Sequence, residues 1–326
     1  MIEAQELRDC HARIAPHIHR TPVFTSRQLN ATAGAQLHFL CENFQRTGSF
    51  KIRGATNAVL SLSASERSRG VVAHSSGNFA QAVALAARNA QTRAWVVMPH
   101  NSAAVKKKAV LSYGANIIEC EPSESARDAA AQEVVRAQGA AFLHPSNQRE
   151  VIVGQGTAGL ELLESVPDLD VLLTPVGGGG LLAGCAVAAH HFGHECITLG
   201  AEPAQMDDAY RSLKSGIIQF NVDGETIADG LRTHLGDVNF PLIQQHVSQI
   251  VRVSETEIIA ALRLIWERMK LLIEPSSAVS LAAILREPEL FAGKRVGIVL
   301  SGGNVDLPSL LPLLAQSDVE PVAKWQ

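Results

Sequence analysis

Short apolar runs alternate with longer alanine-rich stretches over most of this chain, and this alternation limits the fold more than any other feature. The runs have the composition of buried strands, and they span residues 37–42, 70–75, 94–99, 116–120, 171–176, 197–202 and 296–301. Helical patterns lie between them, at residues 78–90, 103–114, 126–139, 154–166 and 255–270. Strands that alternate with helices predict parallel sheets joined by crossover helices. Because the runs are continuously apolar, we expect helices on both faces of each sheet.

The length and charge of the chain narrow the possible classes of protein. With 326 residues the chain is long enough for two lobes. Residues 67–145 hold three strand–helix units of their own, so we predict a small inserted domain there and a large domain formed by residues 1–66 and 146–326. A net charge of −4 with scattered basic residues gives no electrostatic case for binding nucleic acid or a membrane surface.

Cysteine usage and the N-terminal residues indicate the cellular compartment. The five cysteines are an odd number without CxxC spacing, which argues against a disulfide scaffold and a structural zinc site. The first residues lack the apolar core of a signal peptide. No stretch approaches the roughly 20 apolar residues that a membrane span requires. We therefore expect a cytoplasmic protein.

Two loops at the carboxyl ends of predicted strands have the composition of anion sites. Residues 75–78, Ser-Ser-Gly-Asn, open an alanine-rich helix and present N–H groups and short side chains, although a plain helix N-cap would have the same sequence. Residues 177–180 are four consecutive glycines between a strand and a helix. They predict a backbone wrapped around a phosphate, with a flexible turn as the alternative. Their spacing matches neither a dinucleotide fingerprint nor a P-loop.

Two further loops carry polar side chains. Ser301 follows the last predicted strand in the sequence Ser-Gly-Gly-Asn, where its hydroxyl offers a neutral hydrogen bond. Glu202, Asp207 and Asp208 follow another strand. Hard cations bind to several oxygen ligands of this kind, but three acids in seven residues more often belong to an ordinary surface loop.

Lys51 lies among small and apolar residues, in Gly-Ser-Phe-Lys-Ile, although a lysine is usually a solvated surface charge. A phosphate cup, a second anion cup, a neutral polar group and a semi-buried lysine are together the parts of a pyridoxal 5′-phosphate (PLP) site. Burial lowers the pKa of a lysine, which lets the amine attack a carbonyl and later act as a base. The residues alone thus predict a phosphorylated cofactor with a reactive lysine.

Six motifs in order resemble those of the fold-type II PLP enzymes of the serine/threonine dehydratase and serine racemase group. They are TGSFKIRGA (47–55), SSGN (75–78), PVGGGG (175–180), TIADG (226–230), WERMKLLIEPSSA (266–278) and LSGGN (300–304). The resemblance runs from residue 20 to about residue 307 and is greatest to the serine racemase and 3-hydroxyaspartate dehydratase branch. It implies a tryptophan synthase β-like α/β fold with two open, twisted, mostly parallel sheets and helices on both faces.

The resemblance also assigns roles to single residues. Lys51 is implied to carry the cofactor as a Schiff base and to remove the α-proton, and Ser76 to be the acid or base on the opposite face in racemases. The implied cofactor contacts are Phe50, Asn78, Gly177, Gly178, Gly179, Gly180, Leu181 and Ser301. The implied substrate contacts are Ser75, Ser76, Gly77, Asn78, Phe79, Arg127 and Thr233, of which Phe79 replaces the histidine that is common in the group. Glu202, Asp208 and the carbonyl of Met206 match a site for Mg²⁺ or Ca²⁺.

The implied activity is β-elimination of a 3-hydroxy amino acid to a 2-oxo acid and ammonia, by a homodimer that acts on free amino acids. Three alternatives remain at this point. Ser76 makes an amino-acid racemase chemically possible, since racemisation and elimination share the step that removes the α-proton. A non-enzymatic PLP carrier has no use for the substrate loops. A nucleotide-dependent oxidoreductase shares the α/β layout but needs a dinucleotide fingerprint.

Overall fold

The computed structural model describes residues 2–221 and 224–316 of the chain. These residues form ten strands: β1 (Val23–Phe24), β2 (Gln36–Cys41), β3 (Val71–His74), β4 (Ala94–Pro99), β5 (Asn116–Cys120), β6 (Ala141–Phe142), β7 (Val171–Pro175), β8 (Ile197–Pro203), β9 (Val247–Val253) and β10 (Arg295–Leu300). They also form fifteen α-helices: α1 (Ala4–Ile14), α2 (Arg27–Ala33), α3 (Lys51–Ser61), α4 (Ala64–Arg69), α5 (Asn78–Asn89), α6 (Ala104–Ser112), α7 (Glu124–Gln138), α8 (Arg149–Ser165), α9 (Gly180–Phe192), α10 (Asp208–Ser215), α11 (Phe240–His246), α12 (Glu255–Leu264), α13 (Pro275–Arg286), α14 (Pro288–Phe291) and α15 (Leu307–Gln316). Short 3₁₀ turns and one π-helical turn (Ile265–Met269) complete the described secondary structure.

The strands form two sheets. One has six strands in the order β1-β2-β10-β7-β8-β9, and its β1 runs antiparallel to β2 while the other neighbours are parallel. The other has four parallel strands in the order β5-β4-β3-β6, all drawn from residues 71–142. The predicted α/β architecture with two mostly parallel sheets is confirmed. The division of the chain into a large and a small domain stays a prediction.

All seven predicted strands occur within one residue of their predicted bounds. The sequence analysis missed β1 and β6, which have two residues each and give no periodic signal. It also missed β9, whose buried and exposed residues alternate irregularly at the edge of the six-stranded sheet. The long helix predicted at 255–270 is α12 followed by the π-helical turn.

Helix α8 contacts the backbones of both α3 and α9. A Cβ atom on Gly154 of α8 would lie 2.7 Å from the Cα of Gly54 in α3, and a Cβ on Gly184 of α9 would lie 2.6 Å from the backbone nitrogen of Gly156 in α8. Glycines alone permit this approach, because any side chain would separate the helices. Since α3 begins at Lys51 and α9 begins at the glycine loop, α8 fixes the two parts of the site against each other.

Within residues 2–221 and 224–316, every helix is too short or too polar to cross a lipid bilayer.

Candidate active site

Lys51 is the first residue of α3, and protein encloses its amine. Its Nζ donates a hydrogen bond to the backbone carbonyl of Pro145 at 2.9 Å and lies 4.9 Å from the centre of the Phe50 ring. Burial lowers the pKa of Lys51 to about 8, and the nearby Glu274 carboxylate opposes this shift in part. The amine therefore has a substantial neutral, nucleophilic fraction near physiological pH.

Arg53 anchors the start of the helix that carries this lysine. Its guanidinium is fully buried and donates to both carboxylate oxygens of Glu42, at 2.7 and 2.8 Å, and to both oxygens of Glu161, at 3.0 and 2.7 Å. Bidentate pairs of this kind fix geometry, and removing one partner of a buried pair typically costs about 3–5 kcal/mol. The cluster thus holds the first turn of α3 in one orientation.

The loop before Lys51 is paired with the loop after β10. The backbone N–H of Phe50 donates to the carbonyl of Ser301 at 3.0 Å, and Ser49 forms an antiparallel bridge with Gly302. The buried Ser301 Oγ lies 3.1 Å from Ser277 Oγ, and Ser277 Oγ itself donates to the Gly302 carbonyl. Because Ser277 gives its one hydroxyl hydrogen to Gly302, Ser301 is the donor in the pair with Ser277. Rotation of the Ser301 hydroxyl would turn that hydrogen toward a neutral nitrogen acceptor.

The four-glycine loop between β7 and α9 is a narrow cradle of backbone. Gly179 has φ +76°, a left-handed conformation that favours glycine. A Cβ on Gly178 would lie 2.4 Å from Ser146 Oγ, and a Cβ on Gly180 would lie 2.5 Å from Gln155 Oε1. The first N–H groups of a helix have no partner within it, and they carry the positive end of the helix dipole. This cradle therefore fits a phosphate, as the sequence predicts.

The cradle and the lysine are joined through one short segment. The Pro145 carbonyl that accepts from Lys51 also accepts from Gln155 at 3.2 Å, and Ser146, the next residue, packs against Gly178. An amine and a phosphate cradle on adjoining backbone fit an aldehyde cofactor that carries a phosphate. The residues present thus match PLP.

The second predicted anion cup lies at the start of α5. The Gly77 N–H donates to Ser75 Oγ at 3.3 Å, and the Ser75 N–H donates to the carbonyl of Val97 in the sheet. Open space surrounds the position of a Cβ on Gly77, with no atom within 4 Å. Ser76 lies in the same turn and is half-buried. The cup therefore combines a helix N-terminus with room for a ligand.

Asn78, the first residue of α5, is held at both ends of its amide. Its Nδ2 donates to the two oxygens of Glu274, at 3.1 and 3.0 Å, and its Oδ1 accepts from Asn304 Nδ2 at 2.9 Å. Burial raises the pKa of Glu274 to about 7, and the amide hydrogen bond from Asn78 opposes this shift. Glu274 and Asn304 therefore belong to the site.

The predicted substrate residues lie around different loops. Phe79 is buried, and its ring centre is 5.9 Å from Lys51 Nζ. Burial is the main cause of the lowered pKa of His74 at the end of β3, and the charge of Arg127, on α7, adds to it. The buried Nε of Arg127 has no hydrogen-bond partner among the described residues. Thr233 is exposed and packs with its Oγ1 against Gly178. Arg127 thus adjoins the Ser75 loop, and Thr233 adjoins the cradle.

The three acids that follow β8 fall into two groups, one paired with arginines and one buried. Asp207 forms ion pairs with Arg211 at 2.7 Å and with Arg252 at 2.9 Å. Glu202 and Asp208 are buried, and Glu202 accepts the backbone N–H groups of Ala209 and Tyr210 at the start of α10. Burial and the charge of Asp208 raise the pKa of Glu202.

Few side chains at the predicted cation site could act as metal ligands. Met206 is buried beside the acidic pair, and His234 Nδ1 lies 3.8 Å from Asp208 Oδ1. Among the described residues, no group of three or more histidine, cysteine or acidic side chains has the arrangement of a metal site. Two buried carboxylates and a backbone carbonyl remain as oxygen donors that suit a hard cation.

Three residues of the site have no role in the sequence analysis: Glu274, Asn304 and Pro145. Glu274 and Asn304 lie inside the motifs at 266–278 and 300–304, so their motif membership was visible while their contacts were not. Their partner Asn78 is 196 and 226 residues away along the chain. Pro145 contributes only its carbonyl, which a sequence does not distinguish from any other.

Comparison with known proteins identifies the family. The sequence profile described as "Pyridoxal-phosphate dependent enzyme" matches residues 14–302. The chain belongs to this family. It is a PLP-dependent enzyme with the predicted fold of type II, and the prediction of PLP as cofactor is confirmed.

Individual relatives cover nearly the whole chain. A beta-hydroxyaspartate dehydratase of Paracoccus denitrificans is 47% identical, over 94% of this chain and 97% of its own length. A serine racemase of Dictyostelium discoideum is 45% identical, over 96% of this chain and 98% of its own length. The crystal structure of that racemase superposes with a TM-score of 0.89, covering 93% of this chain and 98% of the other. The predicted resemblance to the racemase and hydroxyaspartate dehydratase branch is confirmed.

Proposed function

We propose that this enzyme catalyses the β-elimination of a 3-hydroxy amino acid, of the serine, threonine, 3-hydroxyaspartate or 3-phenylserine type, to a 2-oxo acid and ammonia. The observation that carries the proposal is the enclosed Lys51 amine, with a pKa lowered to about 8, joined through Pro145 and Ser146 to the glycine cradle. Bound PLP supplies an electron sink for the electron pair left at Cα. The names of the relatives, a hydroxyaspartate dehydratase and a serine racemase, support the same class of substrate.

The chain's own groups divide the work of binding. Lys51 holds the cofactor, Phe50 packs beside its ring, Asn78 donates to its ring oxygen and Ser301 donates to its ring nitrogen. The cofactor phosphate is bound by the cradle, at Gly177, Gly178, Gly179, Gly180 and Leu181. The substrate carboxylate is bound by the cup, at Ser75, Ser76, Gly77 and Asn78.

Proton transfer at Lys51 Nζ drives the reaction. The neutral amine takes the α-proton, and the hydroxyl group leaves Cβ as water after a second proton transfer. The enamine that results tautomerises to an imine, which water hydrolyses to the 2-oxo acid and ammonia. Ser301 offers the ring nitrogen a hydroxyl in place of a carboxylate, so the negative charge at Cα is stabilised weakly. Early loss of the β-hydroxyl is thereby favoured over long retention of that charge.

An amino-acid racemase is the second candidate, and Ser76 is the observation that favours it. Ser76 lies in the cup, where its hydroxyl is half-buried and has room on the side of Gly77. A second proton donor there would return the α-proton to the opposite face. The two activities share the step at Lys51, and a Ser76→Ala variant separates them because weaker binding of the carboxylate would lower both activities while loss of the second proton donor would lower racemisation alone.

We also propose that Arg127 and Thr233 contact the distal part of the substrate and that Phe79 shapes the pocket beside the lysine. The unpartnered Nε of Arg127 supports a distal anionic group, since a buried donor without an acceptor is costly. A β-carboxylate would satisfy it.

A substrate panel tests the proposed function. Purified enzyme with PLP and Mg²⁺ is assayed for 2-oxo acid, ammonia and enantiomer exchange on D- and L-serine, both threonines, the 3-hydroxyaspartate isomers and 3-phenylserine. We expect one dominant 2-oxo acid product, in equal amounts with ammonia. Enantiomer exchange faster than 2-oxo acid formation would make the enzyme a racemase. If Lys51 binds PLP and no member of the panel reacts, the substrate class is wrong.

We further propose that Glu202, Asp208 and the Met206 carbonyl bind Mg²⁺ or Ca²⁺. The two adjacent buried carboxylates support a cation, because a bound cation would offset their repulsion. Thermal unfolding with and without Ca²⁺ tests this. The ion should raise the melting temperature of the wild type and of an Asp207→Asn control, whose acid is already paired with arginines, and should leave Asp208→Asn unchanged. Equal responses of all three proteins would remove the proposal.

The remaining predictions concern assembly and location. We propose a cytoplasmic homodimer with a large domain and an inserted small domain at 67–145. Phe24 and Phe44 are exposed, and the centres of their rings lie 6.3 Å apart. This exposed apolar pair supports an interface on this side of the six-stranded sheet. Light scattering after size-exclusion chromatography would show a mass of two chains, and a Phe44→Ser variant should shift it toward one.

A further inference from the structure

Glu274 is a buried carboxylate that does not serve its own helix. It is the N-cap residue of α13 and is 3% exposed, yet its side chain makes no capping hydrogen bond. The carboxylate instead accepts from the Asn78 amide and from the backbone N–H of Asn304. Burying a carboxylate with amide partners is expensive unless every oxygen is well satisfied. A role in positioning Asn78 would account for a buried carboxylate at position 274.

The hydrogen-bond network fixes the orientation of the Asn78 amide. With Nδ2 toward Glu274 and Oδ1 toward Asn304 Nδ2, every contact joins a donor to an acceptor. The Asn304 amide is fixed in turn, because its Nδ2 also donates to the carbonyl of Thr47 at 2.7 Å. A flipped Asn78 would set its oxygen against the carboxylate and its NH₂ group against another NH₂ group. The network therefore permits one orientation.

This orientation leaves one N–H of Asn78 available. Both contacts to Glu274 come from the same nitrogen. The two N–H bonds of an amide diverge more widely than the two oxygens of one carboxylate, so only one of them can point directly at Glu274 and the other is directed away from it. The free hydrogen is the donor that a phenolate-like ring oxygen requires. With the amide flipped, that ring oxygen would face a carbonyl.

The packing leaves Glu274 little freedom. A Cβ on Gly302 would lie 3.0 Å from the carboxylate carbon, and the backbone N–H of Glu274 donates to the carbonyl of Gly302 at 3.0 Å. Gly302 follows Ser301, which faces the ring nitrogen in the proposed site. The loop that carries Ser301 therefore holds Glu274, and Glu274 in turn holds Asn78.

We propose that Glu274 is a positioning residue, which fixes the Asn78 amide so that its free N–H meets the ring oxygen of bound PLP. The inference rests on the proposed role of Asn78 as the ring-oxygen contact. Glu274 does not touch the cofactor in this proposal and positions it through Asn78.

A double-mutant cycle on Asn78→Ala and Glu274→Ala tests whether the two residues act as a unit. The readouts are the dissociation constant of PLP from the apo-protein and the visible absorption spectrum of the bound cofactor, with melting temperatures of the apo-proteins as a folding check. Each single variant should weaken PLP binding by roughly tenfold, the value of one charge-assisted hydrogen bond. The double variant should bind no worse than the weaker single variant. Independent, multiplying losses would overturn the proposal.

Two conservative variants separate contact from charge. Glu274→Gln keeps the chain length and one acceptor oxygen but loses the charge, whereas Glu274→Asp keeps the charge and shortens the reach. Positioning through the contact predicts that Gln retains PLP affinity within about threefold of the wild type, and that Asp resembles Ala. The opposite order would show that the carboxylate acts through its field on Lys51, and would refute positioning. These two variants decide the question even if the alanine variants do not fold.

Two controls keep this test distinct from that of the proposed function. Asp229→Asn removes a second negative charge close to Glu274, from a residue that pairs with Lys106 at 2.9 Å, and should leave PLP affinity within about twofold. A wild-type protein whose PLP spectrum does not depend on Lys51 would contradict the proposed function. A normal wild-type spectrum that all Glu274 variants share would contradict only the role of Glu274.

Discussion

The two strand-to-helix turns of the site differ in how closely protein surrounds them. In the cradle, a Cβ on Gly178 would lie 2.4 Å from Ser146 Oγ, whereas in the cup a Cβ on Gly77 would meet no atom within 4 Å. Both turns lead into the N-terminus of a helix, which is suited to an anion. A cofactor phosphate is the same in every turnover and can be bound by a rigid, closely packed backbone. A substrate must enter and leave, and the open cup leaves space for it.

Removal of the Lys51 amine is expected to have the largest effect on turnover. Lys51→Ala should lower turnover by about 10³-fold, because the variant lacks the amine that takes the α-proton in the proposed reaction. PLP should still bind through its phosphate, since the cradle is untouched. Turnover and equilibrium dialysis measure the two effects, with the exposed Lys108→Ala as control. Turnover within tenfold of the wild type would remove Lys51 from the reaction.

A matched pair of glycine variants tests whether the cradle and the cup differ in function. Gly178→Ala should lower PLP affinity by about 100-fold, because the new methyl group must displace Ser146 at a cost of about 2–3 kcal/mol. Gly77→Ala should change PLP affinity less than threefold and should instead raise the KM of the substrate. Dialysis and initial rates measure both. Equal losses of PLP affinity in the two variants would mean that cradle and cup do not differ in function.

Arg127 tests whether the open side of the site recognises the substrate. Arg127→Met should lower kcat/KM for 3-hydroxyaspartate by roughly 30-fold and for serine by less than threefold, because only the former has a second carboxylate that could accept from the unpartnered Nε of Arg127. Arg136→Met is a matched control on the same helix, where the exposed guanidinium pairs with Glu133. If both substrates lose activity equally, Arg127 has a structural role.

The smallest expected effect concerns the pH dependence of Lys51. A lysine with its pKa lowered from 10.5 to about 8 gains its neutral form as the pH rises through 8. Reductive methylation of the apo-protein by formaldehyde should therefore accelerate at Lys51 about tenfold per pH unit up to pH 8 and then level off. The exposed Lys108 serves as an internal control, and mass spectrometry reads both sites.

A variant of the same experiment tests the charge of Glu274. Because this carboxylate raises the pKa of Lys51, Glu274→Gln should move the midpoint of methylation below that of the wild type. A Lys51 profile that coincides with that of Lys108 would show an ordinary solvated amine.

The parts of this protein that local patterns define were predictable. The buried strands β3, β4 and β7 are continuous apolar runs, and the glycine loop and the Ser75–Asn78 turn have compositions that few other structures require. The proposed chemistry of Lys51 rests on its neighbours and on the family resemblance, and it stays a prediction. These features depend on residues a few positions apart.

The parts that depend on distant residues were not predictable. Glu274 meets Asn78 from 196 residues away, and Arg53 pairs with Glu161 across 108 residues. Neither residue differs locally from a surface acid or base, since burial and partners come from the packing of the sheets. The edge strand β9 was missed for a related reason, because its burial is set by β8 and not by its own alternation.

The contact of α8 with α3 and α9 has a consequence for how the family can diverge. Where Gly54 meets Gly154 and Gly156 meets Gly184, main chain touches main chain, so no side chain separates α8 from α3 or from α9 at these two crossings. Substitutions elsewhere can reshape the substrate pocket without altering this spacing. A helix spacing that is set by main-chain contact can stay constant while the side chains around the substrate change.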